Sequence, residues 1–90
     1  LRLNPRLAQA YQNRGMVFVE LGRYDAAIED LTRAIDLDPS LTLAWYHRSV
    51  AWFRQGNLAK AWADIGESQK RGLTTPASYL QQLQAASGGK

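Results

Sequence analysis

The chain has 90 residues and a net charge of +3 at pH 7; 46% of its residues are hydrophobic, and it has no cysteine. This length suits one small domain, and the composition is that of a folded chain rather than a disordered one. The lack of cysteine excludes disulfides, thiolate metal sites and a cysteine nucleophile. The single histidine, His47, cannot build a multi-histidine zinc site. No apolar run reaches the roughly 18 residues of a membrane helix, and no signal-like leader is evident. We therefore expect no membrane partner and favour a cytoplasmic location.

The first half of the chain predicts two helices. Apolar residues recur at helical spacing over 7–20, and Gly22 follows as a stop signal. A second helix is predicted over 24–37. It ends before Pro39, because the residue that precedes a proline is pushed out of the α region.

The second half predicts three more helices. The third covers 41–55 and stops before Gly56, and the fourth covers 58–71. The last begins at Pro76, with Thr75 as its N-cap, and runs to about Ala86. The sequence therefore predicts an all-α fold.

The second pair of helices copies the first at a spacing of 34 residues. Small residues match at Gly15 and Ser49 and at Ala34 and Ser68, and aromatic residues match at Tyr11 and Trp45 and at Phe18 and Trp52. Leu3 and Pro5 also match Leu37 and Pro39 at this spacing. The identical pairs within the two units are Ala10 and Ala44, Arg14 and Arg48, Gly22 and Gly56, Ala27 and Ala61, and Asp30 and Asp64.

Both units resemble the tetratricopeptide repeat. In the first unit the matching positions are Tyr11, Gly15, Phe18, Gly22, Tyr24, Ala27, Leu31, Ala34 and Pro39. In the second they are Trp45, Ser49, Trp52, Gly56, Leu58, Ala61, Ile65 and Ser68. Two features depart from the family pattern: Arg14 stands where leucine is more common, and Gly72-Leu73 replaces the usual helix-ending Asp-Pro.

The resemblance implies a right-handed superhelix of antiparallel helix pairs. On this basis residues 1–7 are the tail of a preceding repeat, and 8–41 and 42–75 are the two repeats. Residues 76–87 form a C-terminal capping helix, and 88–90 are a flexible tail.

Each unit carries an arginine sixteen residues before an aspartate, Arg14 with Asp30 and Arg48 with Asp64. The arginine lies on the first helix of its pair and the aspartate on the second. We predict two structural ion pairs, because the planar guanidinium group binds a carboxylate through two donors. The alternative is that Arg14 and Arg48 face a carboxylate of a ligand.

In tetratricopeptide repeat proteins the first helix of each unit lines a concave groove that receives a peptide. The resemblance therefore implies that residues of these helices not used for core packing line a ligand groove. The twelve predicted groove residues are Gln9, Gln12, Asn13 and Met16 in the first unit, Leu43, Tyr46, His47, Val50 and Phe53 in the second, and Leu80, Gln81 and Gln84 on the last helix. Core packing also leaves the charged residues Glu20 and Arg54 unused on the two first helices. The alternative for Val50 and Phe53 is ordinary core packing against the last helix.

The three tryptophans are predicted to lie in different environments. Trp45 and Trp52 match core positions of the repeat. Trp62 falls on the outer helix of its pair and is a candidate for a second contact surface.

The family's chaperone-binding members clamp a C-terminal carboxylate with lysine, asparagine and arginine side chains. Asn13 stands at a clamp position. Leu43 and His47 occupy the positions of a clamp lysine and arginine, so this clamp is incomplete.

These patterns favour a protein–protein interaction scaffold that binds a peptide or a partner helix in the groove. The alternative is self-association through repeat ends or outer helices, and RNA binding is the least favoured hypothesis because no paired base-reading pattern recurs. No carboxylates converge with His47, so we expect no enzymatic activity, no cofactor and no metal. The sequence does not identify the partner.

Overall fold

The computed structural model describes residues 5–88. The five helices are α1 (Pro5–Glu20), α2 (Tyr24–Leu37), α3 (Thr42–Arg54), α4 (Leu58–Lys70) and α5 (Ala77–Ala86). Over the described range there is no strand, and the predicted all-α helical repeat is confirmed. The suggested tail 1–7 lies partly outside this range; from Pro5 onward it is part of α1 rather than a separate segment.

Four of the helices, α1, α3, α4 and α5, are followed by a glycine with a left-handed backbone. At the end of α1, Gly22 has a φ of 77°, and the Arg23 amide donates to Phe18 O at 2.8 Å. At the end of α4, Gly72 has a φ of 100°, and the Leu73 amide donates to Ser68 O at 3.0 Å. This is the Schellman arrangement, in which glycine is favoured because it has no Cβ to clash.

The departure at Gly72-Leu73 therefore changes how the second unit ends. Whereas α2 ends at Asp38-Pro39, α4 ends at a glycine as a first helix does, and residues 73–76 form an irregular link to α5. α5 begins one residue later than predicted, with Pro76 as its cap residue. Thr75 does not cap α5 through its side chain; its hydroxyl accepts a hydrogen bond from Gln69 Nε2 at 2.9 Å.

The two units are joined through the carbonyl of Pro39. This oxygen accepts hydrogen bonds from Trp45 Nε1 at 2.8 Å and from Arg71 Nε at 2.6 Å. The Arg71 guanidinium also lies 4.6 Å from the centre of the Trp45 ring, within cation–π range. The loop between α2 and α3 is thus tied to the end of α4. Trp45 itself is half-buried and packs against the core of the first unit, at the position predicted for it.

The first core is centred on Leu31, which is fully buried against α1. A Cβ at Gly15 would lie 2.6 Å from Leu31 Cγ and 2.8 Å from Leu31 Cδ2. In the second unit Ser49 takes the place of Gly15, and its hydroxyl donates to Ala61 O at 2.7 Å. Both residues are buried, so each pair of helices meets at a residue that has little or no side chain.

We expect Gly15→Ala to lower the free energy of unfolding by about 1–3 kcal/mol, because the new methyl group displaces Leu31 in a packed core. The matched control is Gly66→Ala on α4, where a Cβ meets nothing within 4 Å. That change should stabilise the protein by about 0.5–1 kcal/mol through helix propensity. Urea denaturation of both variants measures the difference, and equal effects would contradict the close approach at Gly15.

Candidate functional site

Both arginine–aspartate pairs meet between the helices of one unit, with two-donor geometry. Arg14 Nε and Nη2 donate to the two carboxylate oxygens of Asp30 at 2.6 and 2.9 Å. Arg48 donates in the same way to Asp64 at 2.7 and 2.9 Å. Both aspartates are buried, and the hydrogen bond to Asp30 raises the pKa of Arg14.

The two pairs differ in how far water reaches the arginine. The Arg14 side chain is 59% exposed, whereas that of Arg48 is 16% exposed. Arg48 makes one more contact, from Nη1 to the hydroxyl of Thr32 on α2 at 3.1 Å. Each guanidinium already binds a carboxylate of its own unit, which favours the structural ion pairs over the ligand-carboxylate alternative.

On α1 three of the four predicted groove residues carry amide side chains. Gln9 and Asn13 are exposed, while Gln12 and Met16 are half-buried. The Oε1 atom of Gln12 is buried and accepts no hydrogen bond from the described residues.

On α3 the predicted groove residues have two different environments. Leu43 is 43% exposed. Tyr46, Val50 and Phe53 are half-buried and pack against the second core, which includes Tyr79 of α5. Phe53 therefore contacts the last helix through Tyr79, as the stated alternative has it, and Val50 packs against the core that α4 and α5 form together.

Tyr79 is the residue that sequence reasoning missed. Its ring contacts those of Tyr46 and Phe53 edge to face, with centroids 5.6 and 5.8 Å apart. Its hydroxyl lies 2.8 Å from Ser49 Oγ, and burial raises its pKa to about 12. The signal was in the sequence, because Tyr79 follows Trp45 by 34 residues.

The rest of α5 has an apolar side that packs and a polar side that is exposed. Leu83 is fully buried with Tyr79, and Leu80 is half-buried. Gln81 and Gln84 are exposed, as a groove position requires.

His47 is half-buried, and its ring lies edge to face with Tyr46, with centroids 5.0 Å apart. Removal from water lowers the pKa of His47, and the negative charge of Glu20 on α1 opposes this only in part. His47 is therefore neutral at pH 7. None of the twelve predicted groove residues then carries a formal charge.

Trp62 takes part in α5 docking. It is half-buried against the second core, and its Nε1 donates to Ser87 Oγ at 2.9 Å. This contact ties α4 to the end of α5, so the ring does not stand free as a second contact surface. Trp52 is also half-buried in this core, with Lys60 Nζ 4.5 Å from its ring centre.

The described residues show no cluster of three or more side chains able to hold a metal ion. Two shallow depressions, of about 320 and 280 Å³, lie beside the two ion pairs rather than in the predicted groove. Across residues 5–88, no helix combines the length and apolar character needed to cross a bilayer.

Comparison with known proteins agrees with this architecture. The family model for the tetratricopeptide repeat matches residues 8–41. The chain belongs to the tetratricopeptide repeat family.

Similar proteins include Tetratricopeptide repeat protein 13 of Homo sapiens, 31% identical over 80 residues that make up 89% of this chain and 9% of that protein. DnaJ homolog subfamily C member 3 of Rattus norvegicus is 42% identical over 78 residues, 87% of this chain and 15% of that protein. The tetratricopeptide repeat and J domain-containing co-chaperone DNJ1 of Cryptococcus neoformans is 28% identical over 92% of this chain and 16% of that protein.

This tetratricopeptide repeat chain thus spans less than a fifth of the length of these relatives. The family match and the helical repeat together support a protein-interaction module in general terms.

We expect Asp64→Asn to lower the free energy of unfolding by roughly 2–4 kcal/mol, because it leaves the covered Arg48 without its carboxylate. The matched change Asp30→Asn should cost less, since the exposed Arg14 regains water. Urea denaturation of both variants gives the comparison. A larger loss of unfolding free energy for Asp30→Asn than for Asp64→Asn would contradict the conclusion that Arg14 is exposed and Arg48 is covered.

We expect the melting temperature to fall as the pH drops below about 6.5, because the folded state holds His47 neutral while the unfolded chain takes up a proton there. The stability that His47 contributes is present above its unfolded pKa and is lost below it. Thermal melts between pH 7.5 and 5.5 should show this decline, and His47→Gln should flatten it. An identical decline in both proteins would assign the effect to other groups.

Proposed function

We propose that this chain binds a peptide segment or a helix of another protein in the groove formed by α1 and α3. The observation that carries this proposal is the set of exposed side chains on these first helices that the core does not use. Gln9 and Asn13 on α1 and Leu43 on α3 are exposed at positions that the core does not use. An apolar side chain flanked by amides is suited to contact with a partner.

The chemistry of the twelve predicted groove residues favours a ligand that is recognised mainly through amide and apolar contacts. Amide side chains supply directional hydrogen bonds, and Leu43, Met16 and the edges of Tyr46 and Phe53 supply apolar contact. His47 is neutral and Leu43 is apolar at the two positions where a carboxylate clamp has basic residues. We therefore propose an internal segment of a partner as the ligand, rather than its C-terminal carboxylate.

The groove is small, so binding by this chain alone should be weak. The contacts with the ligand have to offset the free-energy cost of lost motional freedom and of side-chain ordering. Only the free energy that remains appears as affinity. We propose the same organisation as the sequence predicts: two repeats, 8–41 and 42–75, followed by a capping helix.

We propose no catalytic role for the chain. Its buried carboxylates, Asp30 and Asp64, are engaged by arginines, and within residues 5–88 no carboxylate is hydrogen-bonded to His47. One relative carries the name of a co-chaperone, and this supports a partner that is itself a protein. The identity of the partner is not implied by that name.

The test is a pull-down from a cell lysate, which compares the proteins that the wild-type chain retains with those that the Leu43→Asp variant retains. Because Leu43 is exposed, the variant should remain folded, which circular dichroism verifies. Burying one leucine contributes about 1.5–3 kcal/mol, so its loss should weaken capture about tenfold or more. Changes at Tyr46 or Phe53 are unsuitable, since both also pack against α5.

The matched control is Leu21→Asp, a leucine that is 65% exposed and lies outside the groove. Partners retained by the wild type and by this control, but lost with Leu43→Asp, support the groove. Partners that are retained equally by all three proteins would place binding elsewhere.

A further inference from the structure

The larger of the two depressions lies on the other side of α3 from the predicted groove. Arg48 and Trp52 on α3 each stand two residues from Val50, which is about 160° around a helix. The depression therefore shares no residue with the groove. It has a volume of about 320 Å³, and its lining consists of Arg48, Trp52, Lys60, Ala63 and Asp64.

The lining differs from its counterpart in the first unit at three of the five positions. Thirty-four residues earlier, the first unit has Phe18, Ala26 and Glu29 at these positions. In the second unit the phenyl ring is replaced by an indole, the alanine by Lys60 and the carboxylate by Ala63. Each replacement therefore adds a hydrogen-bond donor or removes an acceptor.

These replacements reverse the formal charge of the lining. In the second unit Arg48 and Lys60 stand against Asp64, which gives a net charge of +1. At the corresponding positions of the first unit one arginine stands against two carboxylates, which gives −1. The depression of the second unit is therefore suited to a negatively charged group, whereas the same positions of the first unit repel one.

Two donors in this lining have no acceptor of their own. Lys60 Nζ lies 4.5 Å from the centre of the Trp52 ring, and between residues 5 and 88 it pairs with no carboxylate. Trp52 Nε1 donates to no atom of the described residues, whereas the indole nitrogens of the other two tryptophans each donate a hydrogen bond within the chain. Trp52 Nε1 is also not a buried atom, so a bound group can reach it.

The other two charges in the lining neutralise each other. Arg48 Nε and Nη2 donate to Asp64 at 2.7 and 2.9 Å, and Arg48 Nη1 donates to the Thr32 hydroxyl at 3.1 Å. The ammonium of Lys60 is therefore the one uncompensated charge of the lining. A group with a single negative charge matches it, whereas a phosphate brings a second negative charge close to Asp64 with no cation to balance it.

We propose that this depression is a second binding site, which takes the carboxylate of a glutamate or aspartate side chain on a protein partner. The ammonium of Lys60 supplies the opposite charge, and the indole N–H of Trp52 donates a hydrogen bond to a carboxylate oxygen. This site is independent of the groove, because the two surfaces lie on opposite sides of α3.

The test is an NMR titration of the 90-residue chain with the peptide acetyl-Glu-Glu-Glu-amide at an ionic strength of about 0.1 M, where the Debye length is about 10 Å. We expect the Trp52 indole N–H and the Lys60 backbone amide resonances to shift until they saturate. The indole resonances of Trp45 and Trp62 should stay in place. Raising the ionic strength to about 1 M should remove the shifts, because the Debye length falls to about 3 Å. The same peptide with glutamine in place of glutamate is the neutral control and should cause no shift.

Two variants restore residues of the first unit. Lys60→Ala should weaken binding of the glutamate peptide about fivefold, since it removes the uncompensated charge. Ala63→Glu should weaken it about tenfold or more, because it adds a like charge to the lining. Both residues are exposed, so both variants should remain folded, which circular dichroism verifies.

The matched controls make the same changes of charge outside the depression. Lys70→Ala removes an exposed lysine from the same helix, about 15 Å along α4 from Lys60. Gln82→Glu adds a carboxylate on α5, where Gln82 is exposed. Each should change the affinity for the glutamate peptide by less than about twofold, because exposed charges beyond a Debye length are largely screened.

Shifts at Trp52 and Lys60 that both variants weaken and both controls preserve support the proposal. No shift, equal shifts with the glutamine peptide, or affinity that survives Ala63→Glu would mean that the depression is not a carboxylate site. Tighter binding of inorganic phosphate than of the glutamate peptide at the same two resonances would overturn the choice of a carboxylate. The pull-down with Leu43→Asp reads the groove separately, so either site can fail without the other.

Discussion

The close approach of two helices within each unit is the constraint on which the rest of the molecule depends. At Gly15 the absence of a side chain leaves room for Leu31, and at Ser49 a small hydroxyl bonds directly to Ala61 O. Once the backbones lie this close, each arginine reaches the aspartate on its partner helix with both donors. The large side chains then pack around these contacts and form the two cores, within the units as well as between them.

Ser49 connects this contact to the end of the array. Its hydroxyl bonds to Ala61 O within the unit and lies 2.8 Å from the hydroxyl of Tyr79 on α5. The ring of Tyr79 then rests against Tyr46 and Phe53. Tyr46 and Phe53, two of the predicted groove residues, are thus partly used for docking the last helix, and the surface that we propose for a partner centres on the exposed Leu43 and the amide side chains of α1.

The two units have nearly the same internal contacts and different surroundings. Equivalent ion pairs have the same geometry, yet water reaches Arg14 and is largely kept from Arg48. An exposed pair of this kind contributes little to stability, whereas a covered pair has a high cost when one member is removed. The same ion pair at the same repeat position therefore contributes differently to the free energy of unfolding, depending on whether a preceding helix covers it.

The sequence by itself determined the helices and their pairing. Apolar spacing, the glycines at 22 and 56 and the proline at 39 located the helix ends to within a few residues, because these signals act through local backbone geometry. The 34-residue offset also paired Arg14 with Asp30 and Arg48 with Asp64. Only the tertiary structure decided which faces are covered: Phe53 packs against Tyr79 of α5, while Val17 is exposed. Helical periodicity records that a face is apolar, but burial depends on which neighbouring helix is present and how it docks, and that information lies in contacts distant along the chain.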